Sequence, residues 1–172
     1  MSSNYIKNKS LCPLPFSGGV VNTDGVVRCC SISKDIIGNV NDSALEDILT
    51  NSAKLKQIRR EMLDNKFPEN CEDCYLKEKH HKTLDFGNIS NRLYHIKILK
   101  DSPFKLYKDE NQFELQQVDL RWRNTCNFMC VYCDPRFSSM WAQYEGKTDR
   151  MTNEAMQETF EFVQKNIKKL KT

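Results

Sequence analysis

Apolar positions in this chain recur with two different periods, and the switches between them mark its elements. Val20-Val21 and Val26-Val27 are short β-branched runs around Asn22-Thr23-Asp24-Gly25. Branched side chains suit the pleat and Asp-Gly suits a tight turn, so residues 11–38 predict an opening loop and a β-hairpin. Ser43-Ala44-Leu45-Glu46 has the spacing of a capping box, in which hydroxyl and carboxylate satisfy free N–H groups of a first turn. A short helix is expected there. Leu55, Ile58 and Met62 fall three and four apart, which predicts a second helix after Asn51, stopped by Phe67-Pro68. A polar helical stretch from Tyr75 to about Lys82 and a further helix over Ser90 to Lys100 follow.

Ser102-Pro103 and the polar run Lys108 to Asn111 read as a linker. Beyond it, Val118, Leu120 and Trp122 alternate, so Phe113 to Trp122 predicts a strand. A helix near Ser138 to Tyr144 comes next, and another from Asn153, where Met156, Phe160, Val163 and Ile167 share one face. An isolated strand here would leave an unpaired edge, and the apolar face of the last helix would be uncovered. No internal repeat or low-complexity tract occurs. The fold class is α+β, with expected units at residues 1–100 and 114–172 and a linker over 101–113.

At 172 residues the chain suffices for one ordinary domain or two small ones. Its 26 basic and 23 acidic residues are interspersed, so no nucleic-acid surface is inferred from charge. Met1 to Ser10 lack the apolar stretch of a signal peptide, and no run approaches the roughly 20 apolar residues that cross a bilayer. A cytoplasmic address is expected, without membrane contact. There, eight cysteines argue for metal or redox chemistry over disulfides.

Three of them stand in Arg-Trp-Arg-Asn-Thr-Cys-Asn-Phe-Met-Cys-Val-Tyr-Cys, giving C-x3-C-x2-C at Cys126, Cys130 and Cys133. Three thiolates can wrap a soft metal centre but leave one coordination position open, where chemistry takes place. A second set combines C-x12-G-x4-C, from Cys12 through Gly25 to Cys30, with the pair Cys71-x2-Cys74. A hairpin brings distant thiols together and a C-x2-C at a helix start aims two more at the same point. Four converging thiolates make a closed site, suited to structure or electron transfer, and zinc or an iron–sulfur cluster would accept them.

The C-x3-C-x2-C loop, with Tyr132 before its third cysteine, resembles the cluster loop of radical S-adenosylmethionine (SAM) enzymes. The resemblance implies a [4Fe-4S] cluster on Cys126, Cys130 and Cys133 whose fourth iron chelates SAM. Reductive cleavage would then yield a 5'-deoxyadenosyl radical that abstracts hydrogen from a substrate, with a peptide as the substrate class the family suggests. Tyr132 would lie beside the SAM adenine or pack the loop. Asn127, Arg121, Arg123, Ser138-Ser139 and Trp141 also fit the family, with local bonding, solvation, capping and packing as the plain alternatives. No catalytic side chain is assigned.

Residues 11–80, from Cys-Pro-Leu-Pro-Phe to Pro68-Glu69-Asn70-Cys71-Glu72-Asp73-Cys74, resemble the twitch domain, the shortened relative of the SPASM auxiliary domain. That likeness implies a second [4Fe-4S] cluster on Cys12, Cys30, Cys71 and Cys74. Cys29 is the rival of Cys30, which is preferred because Gly-x4-Cys selects it and Cys29 would face the other side of the strand. His80, His81 and His95 are read as surface residues, and Glu69, Glu72 and Asp73 as facing water. Gly18-Gly19 carries no function.

The expected architecture is therefore a small β-hairpin-plus-helices twitch-like domain followed by the first β/α unit of a partial (β/α)6 radical SAM barrel. On the family pattern, Lys168-Lys169-Leu170-Lys171-Thr172 lead into a second strand, so SAM's remaining contacts are lacking. The chain alone is expected to be inactive: a fragment, half of a split enzyme, or a decayed protein kept for binding. Expected partners are SAM, a substrate, an electron donor such as a flavodoxin or ferredoxin, and the remainder of the barrel. The rival from another class is a non-catalytic zinc-binding interaction module.

Overall fold

The computed structural model describes residues 8–80, 89–98, 107–147 and 150–170; His81, Ser102 and Pro103 of the preceding readings lie outside them. A helical turn α1 (Leu14–Ser17) leads into β1 (Gly18–Val21), which turns back as β2 (Val26–Arg28), followed by a short β3 (Gly38–Asn39). Gly25 closes the hairpin in the left-handed region at φ +84°, as its Asp-Gly pair foretells. The Asp24 carboxylate accepts from the Val26 N–H at 3.0 Å, fixing the register Val20↔Arg28 and Val21↔Val27.

Helices α2 (Leu45–Asn51) and α3 (Ala53–Leu63) come next. Ser43 does not cap α2: Ala44 holds the cap position and no side chain bonds there. Ser52 caps α3 by accepting from the Leu55 N–H at 3.4 Å. That helix stops before Phe67-Pro68, at Asn65, whose φ of +57° lets the Lys66 N–H reach back to the Glu61 carbonyl at 2.8 Å. A 3-10 turn (Glu69–Cys71) runs into α4 (Glu72–His80), and α5 spans Asn91–Ile98.

The late strand β4 (Gln117–Leu120) is shorter than the alternation suggests, and it pairs in parallel with β1 from Gly18↔Gln117 to Val21↔Leu120. Glu114 and Gln116 carry its track backwards by donating to the Phe16 and Ser17 carbonyls at 3.1 and 2.8 Å. The sheet order is β3-β2-β1-β4, so the sheet draws on both sides of the expected linker. β1 covers one edge of β4, and its other edge is unpaired among the described residues.

Register divides the sheet into unlike faces. Gly19, Val21, Val27, Val118 and Leu120 share one face, where Leu49 of α2 fills the space left by Gly19, 2.9 Å from where a Cβ would stand. Phe16, Leu55, Ile58, Met62 and Leu115 extend this core. Two more helices follow, α6 (Ser139–Tyr144) and α7 (Asn153–Asn166), and the latter packs on α2. The inward stripe of α7 is Ala155 and Thr159, while Phe160 and Ile167 remain 51% and 61% exposed, a rotation from the expected face. Small residues let α7 approach α2. The opposite sheet face, with Val20, Gln117 and Asp119, meets α5. No helix among the described residues is long and apolar enough to cross a membrane.

Candidate metal centre

Four segments converge on one cavity beside α1. Cys12 immediately precedes the Pro13 that opens this helical turn, and Cys30 lies just past β2. Cys71 ends the 3-10 turn, and Cys74 sits in the first turn of α4. Together with Cys29 they line a cavity of about 390 Å3, its open mouth included. The hairpin and the helix start thus bring together Cys12, Cys30, Cys71 and Cys74, as their spacing anticipates. Cys29 is a finding apart: although it belongs to the hydrophobic core at 1% exposure, it lines the same cavity instead of turning away.

Buried side chains hold the Cys12 segment in place. The Arg59 guanidinium is fully buried and donates to the carbonyls of Pro15 (2.7 Å), Leu49 (2.6 Å) and Glu110 (3.1 Å). Its faces lie over the rings of Phe16 and Phe113. On the cavity side, Tyr75 donates its hydroxyl to the Ser10 carbonyl at 2.7 Å and Arg92 donates to the Leu11 carbonyl at 2.9 Å. Glu78 pairs with Arg92, and Ser90 bonds the same carboxylate. Both arginines escape the sequence reading, because an Arg on a polar helix face has the pattern of a solvated one.

Burial dominates the electrostatics. It pushes the Cys12 thiol well up and Cys71 up to about 12, and it raises Cys74 as well, each with further repulsion from Cys30. Cys30 moves the other way, because the Cys29 S–H donates to its sulfur, and Cys29 rises in return. A metal centre would reverse this balance by supplying positive charge where four thiolates repel. No group of three or more His, Cys, Asp or Glu among the described residues is arranged to hold a metal ion. Four tetrahedral zinc–sulfur bonds of about 2.3 Å need sulfurs within roughly 3.8 Å of one another. Soft thiol donors are the kind that both zinc and iron–sulfur clusters take.

The Cys126–Cys133 loop is built differently. Its three cysteines are half-buried, while Val131 and Tyr132 are 95% and 90% exposed. Cys133 N–H donates to the Cys130 carbonyl at 2.9 Å, forming a tight turn. The Ser139 hydroxyl bonds both the N–H and the carbonyl of Cys126 at 3.0 Å. Ser138 donates to the Phe128 carbonyl at 2.8 Å while capping α6, and Trp141 Nε1 donates to the Cys130 carbonyl at 2.9 Å. The plain readings of these residues as cap and packing thus understate them: they strap the loop to α6. Asn127 is exposed, as is Arg123, whereas Arg121 bonds Asn22 at 3.1 Å and Asp119 at 2.8 Å. The neighbouring Cys130 thiol pushes the Tyr132 hydroxyl upward.

Strand direction separates the two sets. Cys12, Cys29 and Cys30 lie at the Gly18 end of β1, whereas β4 delivers the second loop at the Val21 end, where Thr23 bonds the Arg136 carbonyl at 3.1 Å. His80 is exposed, as read. His95 is not on the surface: at 6% exposure it sits under the polar sheet face, its Nδ1 without a partner, and burial holds it below the usual imidazole range.

Residues 12–75 match the model of the SPASM family, described as an iron-sulfur cluster-binding domain. All four cysteines of the cavity fall inside the match, and Cys74 lies one residue from its end. No curated protein and no solved structure matches the chain.

Proposed function

We propose that the chain holds a [4Fe-4S] cluster on Cys12, Cys30, Cys71 and Cys74, and a second on Cys126, Cys130 and Cys133 as part of a radical SAM protein. The observation that carries this reading is one cavity lined by Cys12, Cys29, Cys30, Cys71 and Cys74, inside a segment matching an iron-sulfur cluster-binding family. The donors are thiols, buried at Cys12 and Cys74 and half-buried at Cys30 and Cys71, which suits electron storage or relay.

Support for the second site comes from the chain's own geometry. Ser138, Ser139 and Trp141 fix the loop backbone, so three thiols are presented on a rigid support and Tyr132 stands free beside them. A three-thiolate cluster with one open iron would supply SAM chelation and one-electron reduction, the chemistry the radical SAM resemblance implies. Hydrogen abstraction from a peptide, an electron donor of the flavodoxin or ferredoxin type, and completion of the barrel on the free edge of β4 belong to the same proposal.

Anaerobic purification tests it. Brown protein with iron and sulfide near eight each per chain is expected, since two cubane clusters carry about four of each. Cys126→Ala should halve both numbers and Cys30→Ser should halve them independently. Colourless protein carrying only zinc would refute the proposal, and loss of both clusters from either single variant would refute the assignment of two separate sites.

A further inference from the structure

Outside the matched segment, one cation stands in the wall of the cysteine-lined cavity. Arg92, on α5, lines it directly, and its side chain is 5% exposed. The guanidinium is held from three sides. It donates to Leu11 O at 2.9 Å, immediately before Cys12, and pairs with the Glu78 carboxylate. It also lies 5.4 Å from the centre of the Tyr75 ring, immediately after Cys74.

We propose that Arg92 is a positioning residue of this centre: its buried guanidinium clamps the Cys12 segment to the Cys74 helix and sets the reduction potential of the cluster between them. The inference rests on the cluster reading above. Four thiolates leave a cluster net negative, and an electron added to it deepens that charge. In a buried site the field of a nearby cation is weakly screened, so it stabilises the reduced form and raises the potential. Glu78 is bonded to the Arg92 Nε at 2.9 Å, so a negative charge stands directly beside the positive one. The two would therefore bias a cluster in the cavity with opposite signs.

That opposition supplies the test. The potential of the N-terminal cluster is read by redox titration with EPR detection in the full chain carrying Cys126→Ala. Arg92→Gln should shift it to more negative values, and Arg92→Lys should return most of the shift. Glu78→Gln should move it to more positive values. A purely architectural role would loosen the cavity in both variants and give the two shifts one sign. The inference is overturned if Arg92→Gln leaves the potential of a loaded cluster unchanged, or if it and Glu78→Gln shift in the same direction. Should Arg92→Gln fail to load, Glu78→Gln still decides by the sign of its shift. A parent protein without iron–sulfur absorption would instead overturn the site reading, and this inference with it.

Discussion

Replacing Arg59 with Met asks how much of the site's architecture depends on one buried guanidinium. Met has similar length and no donors, so the aliphatic packing beside Phe16 and Phe113 is largely retained while three carbonyls lose their partner. The bond to Glu110 is only part-buried and water can replace it. Those to Pro15 and Leu49 are buried, and each carbonyl left unsatisfied costs about 1–3 kcal/mol. The loss is therefore about 2–6 kcal/mol. Releasing a cation that burial already draws down to about 10 offsets part of it. A net destabilisation of about 3 kcal/mol is the working value, a large share of a domain's margin.

Urea unfolding of the metal-free protein, followed by far-UV circular dichroism, reads this directly. With a slope of about 2 kcal/mol per M, the midpoint should fall by about 1.5 M with the slope unchanged. Arg59→Lys should recover only part, because an ammonium cannot present the planar fork that meets carbonyls from α1 and α2 together. A midpoint shift below about 0.5 M for Arg59→Met would refute the reasoning, showing that water or a local shift satisfies both carbonyls.

Cys12, Cys71 and Cys74 keep their protons in the folded chain at pH values where the unfolded chain releases them, so metal-free protein should lose stability as pH rises from about 9 to about 12. Thermal melting under reducing conditions across that range checks it, and a variant with all three changed to Ala that loses as much would refute it. Trp141→Phe removes the Nε1 bond to the Cys130 carbonyl, worth about 1 kcal/mol, so amide exchange should quicken across Cys126–Cys133 and stay unchanged at Val20–Val27. Uniform acceleration would show that the strap is not local.

Local chemistry made much of the molecule readable. Asp24-Gly25 foretold the hairpin, and Leu55, Ile58 and Met62 foretold α3 and its buried face, because each of these signals acts within a few residues. Spacing, read together with the twitch-domain resemblance, also grouped Cys12, Cys30, Cys71 and Cys74, and the cavity they line takes in the rival Cys29 as well. What escaped depends on long separations. Nothing near Gln117 announces a parallel partner about a hundred residues earlier, and nothing near Arg59 or Arg92 reveals that carbonyls of Pro15 and Leu11 await them. His95 was misjudged for the same reason, since its polar neighbours in sequence are not its neighbours in space. At Ser43 the local rule itself failed: the capping pattern is present, yet α2 begins without a side-chain cap.

The parallel pairing of β1 with β4 has a consequence for how two cysteine sets coexist in so small a chain. A parallel partner enters and leaves the sheet at the same ends as its neighbour, so the loop after β4 must emerge at the far end of β1 from Cys12. Four paired residues at about 3.3 Å each impose roughly 10 Å between the two groups of sulfurs before any loop is counted. An antiparallel β4 would have folded Cys126 back towards Cys30 and put all eight thiols towards one end of the sheet. Strand direction, fixed by hydrogen bonds distant from any sulfur, is thus what keeps one set of cysteines beside α1 and places the other against α6.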